Sequence, residues 1–140
     1  WVLSALGAFP VTRGSADREA LKRCIAVLEA GEPLVLFPEG TRQSGPIVQP
    51  LFDGAAYVAV KAGVPIIPVG IGGSERVMPK GSKMIYPRKC VLVVGEPIFT
   101  PIDEAGRVPR SAVKDVTSRL FDDLQRLFDE AQRLAGTPNE

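Results

Sequence analysis

Leu34-Val35-Leu36-Phe37-Pro38-Glu39-Gly40-Thr41-Arg42 is the stretch on which the reading of the chain turns. Its first four residues form a short apolar run between Pro33 and Pro38, the pattern of a buried strand. Proline has no N–H for a ladder, so pairing should stop at Pro38. Gly40 then permits a positive φ or a close backbone approach to a ligand. Thr41 adds a hydroxyl and Arg42 a planar fork of donors. A strand that ends in Gly-Thr-Arg predicts a small anion-seeking turn at a sheet edge. Glu39 must be paired there, or contact hydroxyls, because a bare carboxylate would repel an anion.

Outward from this turn, apolar runs alternate with helical patterns. Before it, residues 8–11 read as a short strand that delivers Arg13 to its C-terminal end. Ser15 is a candidate N-cap for a helix with Asp17 and Glu19 in its first turn, where the helix dipole favours acids. Leu21, Cys24, Ile25 and Leu28 fall at helical spacing, and Gly31 is the candidate C-cap. After the turn, residues 43–50 form a polar loop with Gly45, Pro46 and Pro50. Asp53 is placed to cap a buried helix that runs to about Ala62 and closes at Gly63. Residues 66–71 and 91–94 read as buried strands. The Gly- and Pro-punctuated loop between them has room for a short strand near Met84 and Tyr86. Ser111 is placed to cap a long helix with Val113, Val116, Leu120, Leu124, Leu127, Ala131 and Leu134 as its apolar stripe, ended by Gly136. Its mixed polar face argues for packing on the sheet rather than on a membrane. The expected fold class is α/β, a mostly parallel sheet with helices on both faces.

Composition narrows the chemistry. The chain has 140 residues, 45% hydrophobic and 24% charged, with a net charge of +1, which fits one domain or part of one. That balance predicts no nucleic-acid partner. No stretch is long and apolar enough for a membrane span. Cys24 and Cys90 read as buried apolar thiols in a reducing compartment. Histidine is absent. There is thus no histidine base, and no zinc site is expected. Residues 1–6 read as the tail of an element, so the chain is expected to be a fragment with its first elements missing.

The run from Phe37 to Arg42 resembles the phosphate-binding block of the glycerolipid acyltransferases, the family of 1-acylglycerol-3-phosphate (lysophosphatidate) acyltransferases. Gly7-Ala8-Phe9-Pro10-Val11-Thr12-Arg13 looks like that family's second block, and Val64-Pro65-Ile66-Ile67-Pro68-Val69 like its fourth. On charge pattern alone, Arg13 and Arg42 read as solvated surface residues. The resemblance implies instead that Arg13, Glu39, Gly40, Thr41 and Arg42 surround the phosphate of the acceptor, with paired arginine contacts to its oxygens. Glu39 would hold the arginines or the glycerol hydroxyls, or sit in a salt bridge behind them. Val64, Pro65 and Ile66 would lie near the acyl donor while also serving as core strand.

The resemblance further implies that residues 1–140 are a partial acyltransferase domain. Its function would be to transfer a fatty acyl group from acyl-CoA or acyl-carrier protein to the hydroxyl of 1-acylglycerol-3-phosphate in phospholipid biosynthesis. No cofactor or metal is expected. The implied location is peripheral, on the cytoplasmic face of a membrane, with the membrane surface as a partner. The family's His-x4-Asp block, whose His is the general base, is expected upstream of Gly7, so no catalytic residue is assigned within the chain. Asp53 departs from the basic residue common there in the family. Two alternatives stay open: a non-catalytic glycerophosphate- or lipid-binding module, and an acyltransferase acting on another phospholipid or glycolipid acceptor.

Overall fold

The computed structural model describes residues 7, 17–101 and 106–139. In chain order the elements are α1 (Arg18–Glu29), α2 (Gly54–Ala62), β1 (Val69–Gly72), a single-turn α3 (Ser74–Val77), β2 (Val91–Val94) and the long α4 (Arg110–Ala135).

The helix ends follow local chemistry. The N-cap of α1 is Asp17, whose Oδ1 accepts the Ala20 N–H at 3.1 Å; the expected cap, Ser15, lies outside the described residues. The C-cap is Ala30, and Gly31 follows in the left-handed region at φ 80°. Asp53 does precede α2, but its side chain makes no cap hydrogen bond. Gly63 ends α2 at φ 66°, as expected. The first residue of α4 follows Pro109, with Ser111 already inside the first turn, and Gly136 closes the helix at φ 84°.

The strands depart from expectation in direction and extent. β1 pairs β2 antiparallel, with Val69 opposite Val94 and Gly72 opposite Val91. An antiparallel bridge between Ile66 and Ile98 extends the ribbon beyond the gap at Pro68, which has no N–H to give. The mostly parallel sheet is therefore not what the described residues pair. The apolar runs left strand direction undetermined, and the strands expected to be buried are only half so: Ile67, Leu92 and Val94 are exposed because α4 covers a single face. Residues 34–37 form no strand among the described residues, and Val35 and Phe37 are 79% and 73% exposed. No neighbouring strand offers them a ladder, since the described sheet has two strands. The stretch near Met84 also lacks a strand. Helices on both faces are not seen either. α4 covers one face of the ribbon, and Leu92 and Val94 on the other are exposed.

Contact between α4 and β1 is made through glycine. A Cβ on Gly70 would land on the backbone carbonyl of Leu127, and one on Gly72 on that of Ala131. The helix backbone thus lies directly on the strand, and Leu127 and Ala131 are essentially fully buried. Further along, Ala56 and Val60 of α2, Ile98, and Val113, Val116 and Leu120 of α4 form the core, with Ile66 and Leu124 at its margin. Cys24 is buried as expected and its thiol pKa is raised by desolvation. Cys90 is instead exposed, because it sits in the loop before β2 rather than in the strand.

Gly72→Ala is expected to destabilise the chain by about 1–3 kcal/mol, the usual cost of overpacking. The backbone of α4 cannot yield as a flexible side-chain tip would. Gly54→Ala, whose Cβ would meet Leu21 Cδ2 at an ordinary 3.7 Å, should be neutral or slightly stabilising. Thermal melts followed by circular dichroism compare the two; equal midpoints would contradict the close packing.

Candidate functional site

The anion-seeking turn is built by two limbs of chain that zip together. Phe37 O accepts the Gly40 N–H at 3.0 Å, which closes the turn, and Gly40 takes φ 72°. Pro38 O accepts the Phe52 N–H at 2.9 Å, and Glu39 Oε2 accepts the Gln49 N–H at 2.9 Å. The Phe52 ring lies against Gly40, where a Cβ would stand only 2.7 Å from Cε2. Gly40 is thus required twice, by its positive φ and by the ring.

The second limb is held from α4. Gln125 donates through Nε2 to Pro46 O at 3.0 Å and accepts the Val48 N–H on Oε1 at 2.8 Å. One amide side chain therefore clasps the loop on both its hydrogen-bonding groups. The start of α2 is tied to the same helix by Asp53, whose carboxylate accepts the Thr117 hydroxyl at 3.0 Å and pairs with Lys114 Nζ at 2.9 Å. The hydrogen bond from Lys114 is the main cause holding the Asp53 carboxyl below its usual range. Partial burial opposes it; Thr117 and the charges of Lys114 and Arg110 assist. Lys114 thus offsets the negative charge of Asp53.

Of the expected site residues, Glu39, Gly40, Thr41 and Arg42 share this turn. Thr41 and Arg42 are exposed and bond to none of the described residues. Among the described residues Glu39 engages the Gln49 backbone N–H, which makes it a brace of the turn. Arg13 lies outside the described residues. Val64, Pro65 and Ile66 are not hydrogen-bonded to the turn. Val64 O accepts the Thr100 hydroxyl at 3.2 Å, Pro65 is exposed, and Ile66 bridges Ile98 at the core margin.

Sequence reasoning missed Gln49, Phe52 and Gln125. Their roles are a backbone N–H, a ring contact and a long-range clasp, none of which has a periodic signature. A groove between the 50–51 segment and α4, lined by Pro50, Leu51, Thr117, Ser118, Phe121 and Asp122, carries a carboxylate and no cation, so it is unsuited to an anion. Among the described residues no cluster of His, Cys, Asp or Glu could hold a metal ion.

Comparison with known proteins adds an independent line. A family model described as Acyltransferase matches residues 1–72. A chloroplastic 1-acyl-sn-glycerol-3-phosphate acyltransferase of Brassica napus is 33% identical over 102 residues, 71% of this chain and 30% of that protein. A 1-acyl-sn-glycerol-3-phosphate acyltransferase of Bacillus subtilis is 33% identical over 96 residues, 69% of this chain and 45% of that protein. The crystal structure of the 1-acyl-sn-glycerophosphate acyltransferase PlsC from Thermotoga maritima superposes with a TM-score of 0.66 at 28% identity, covering 84% of this chain and 45% of that one. The chain thus spans less than half the length of these relatives, and its architecture is that of the acyltransferase fold.

Two outcomes are expected from the braces. Glu39→Ala should speed hydrogen exchange of the Gln49 amide by about tenfold or more, since a hydrogen bond to a charged group is worth about 1.5–3 kcal/mol. Glu39→Gln keeps an acceptor and should retain most of the protection; equal exchange in wild type and Glu39→Ala would show that the brace is not formed in solution.

Asp53→Asn should cost no more than about 1 kcal/mol at pH 7, because the pair with Lys114 is largely exposed. The folded pKa of Asp53 lies below the ordinary value of 3.8. Its stabilisation is therefore complete above that pH and disappears as pH falls through the folded value. Melts of wild type and Asp53→Asn at neutral and strongly acid pH should differ in the first case and converge in the second.

Proposed function

Since the chain belongs to the acyltransferase family, we propose that it forms the acceptor-binding part of an enzyme that acylates 1-acylglycerol-3-phosphate. The reading is carried by the turn from Phe37 to Arg42, which is braced by Glu39 and Phe52 while leaving Thr41 and Arg42 uncommitted. A planar guanidinium held beside a hydroxyl at a fixed turn suits a phosphate monoester, because it meets two oxygens at once. Arg13 supplies the second guanidinium in this reading.

In the intact protein the acceptor hydroxyl attacks the thioester carbonyl of acyl-CoA or acyl-carrier protein while a general base takes its proton; the C–S bond breaks as the ester forms, and the departing thiolate receives that proton to leave as free thiol. Without histidine, the residues of this chain bind and orient rather than abstract the proton. Binding of this kind accelerates reaction by converting a bimolecular encounter into an oriented one. Val64, Pro65 and Ile66 serve the donor side through the shape of the strand they lead into. In this reading the exposed 34–37 run pairs into a mostly parallel sheet in the intact enzyme, and a further layer covers the exposed face of β1 and β2. The enzyme works peripherally on the cytoplasmic face of a membrane, where lysophospholipid acceptors reside.

Acceptor kinetics in the intact enzyme test the assignment. Arg42→Ala should lower kcat/KM for lysophosphatidate by about 30-fold or more, since loss of one partner of a desolvated charged pair costs about 2–5 kcal/mol. Arg42→Lys should recover only part, because an ammonium keeps the charge and loses the paired contact. A phosphate-free monoacylglycerol should be a poor acceptor, barely affected by the substitution. Unchanged acceptor kinetics, or a defect confined to the acyl donor, would overturn the assignment.

A further inference from the structure

The 73–90 excursion between β1 and β2 is used neither by the turn nor by the core. From Arg76 to Gly95 the chain has no Asp or Glu, while it carries Lys80, Lys83, Arg88 and Lys89. In the middle of these cations stand Met84, Ile85 and Tyr86, which are 65%, 72% and 43% exposed. An apolar trio flanked by basic side chains on one exposed loop meets two requirements of a bilayer interface: apolar groups for the acyl boundary and cations for anionic headgroups.

The loop is also held in shape. Pro79 O accepts the Ser82 N–H at 2.9 Å, with Gly81 at φ 85° inside that turn. Ser82 Oγ accepts the Met84 N–H at 3.0 Å, and Val77 O accepts the Tyr86 N–H at 2.8 Å. Both roots are fastened to the end of α4: Arg76 Nη2 donates to Ala135 O at 2.9 Å, and Lys89 Nζ to Leu134 O at 2.8 Å. These cations also satisfy last-turn carbonyls, where the helix dipole favours positive charge. Lys80, Lys83 and Arg88 bond to none of the described residues and remain available. A pre-shaped loop loses less conformational entropy on docking than a floppy one.

We infer that this loop, presenting Met84, Ile85 and Tyr86 among Lys80, Lys83 and Arg88, is a docking surface for an anionic lipid bilayer. The inference rests on the acyltransferase reading only for its purpose, delivery of a lipid acceptor; its physical basis is the loop itself. An acidic protein would engage the three cations and has no use for an apolar trio at that exposure, so the bilayer is the partner the residues favour.

The full chain, incubated with vesicles of phosphatidylcholine alone or mixed with phosphatidylglycerol and then sedimented, tests the inference. Wild type should bind the anionic vesicles, more weakly as salt rises, and the neutral ones poorly. The triple variant Lys80→Gln, Lys83→Gln, Arg88→Gln should lose about a hundredfold in partitioning, roughly fivefold for each cation. Met84→Ser with Ile85→Ser should lose about tenfold or more. Lys22→Gln, on the exposed side of α1, should behave as wild type. All changed side chains are exposed, and circular dichroism confirms folding.

In the intact enzyme, loop variants should leave kcat/KM for a monomeric short-chain acceptor unchanged, whereas Arg42→Ala should impair it and spare vesicle binding. The two readings therefore fail separately. Equal binding to neutral and anionic vesicles, no binding to either, wild-type binding by the triple variant, or capture of an acidic carrier protein without vesicle binding would each overturn the inference.

Discussion

Gly70 and Gly72 allow the backbone of α4 to rest on β1 with no side chain between them, and most of the remaining organisation is reached from that helix. Leu127 and Ala131 seal the contact by complete burial. From the same helix, Thr117 and Lys114 hold Asp53 at the start of α2, and Gln125 clasps the loop at Pro46 and Val48. At its far end, Gln132 accepts the Gly73 N–H at 2.7 Å and the Thr137 hydroxyl at 3.0 Å, which satisfies a buried amide oxygen. A helix standing further from the strand would carry each of these groups out of hydrogen-bonding range.

The turn at residues 37–42 inherits its rigidity from this arrangement at one remove. Gln125 fixes the 46–48 segment, the next residue Gln49 meets Glu39, and Phe52 meets both Pro38 and Gly40. Glu39 illustrates how role and identity separate. Its expected partners were the arginines or the acceptor hydroxyls; among the described residues one of its oxygens accepts the Gln49 N–H. The 38–42 turn and the 79–89 loop are each held in shape by hydrogen bonds, the first to the 49–52 segment and the second within itself and to the end of α4.

Much of this was legible in the sequence, for reasons that lie in local physics. The helices declared themselves by apolar spacing, and their ends at Gly63 and Gly136 by the need for a left-handed residue. Gly40 was marked as a positive-φ position and takes φ 72°. The three sequence blocks identified the family before any coordinates, because a Gly-Thr-Arg turn after an apolar run places specific chemistry at a fixed spacing. Cap positions fell one or two residues from expectation, at Asp17, Ala30 and Pro109.

Other features depended on what meets what in space. Strand direction was one: the apolar run that leads into β1 fixes a demand for burial, while pairing with β2 sets the antiparallel register. The 34–37 run was another, since an apolar segment becomes a strand only where a neighbour supplies a ladder, and none of the described residues does. The partners of Glu39, Asp53 and Gln125 are 10, 64 and up to 79 residues away, beyond any local pattern. The exposure of Cys90, of Met84 and of Ile85 follows from where the loop leaves the ribbon. By itself the sequence determined the family, the three longer helices and the residue types offered at the 37–42 turn, because these rest on residue type and short spacing. The tertiary structure decided the strand pairing, the brace behind the turn and the outward face of the loop, because each requires groups distant in the chain to arrive at one place.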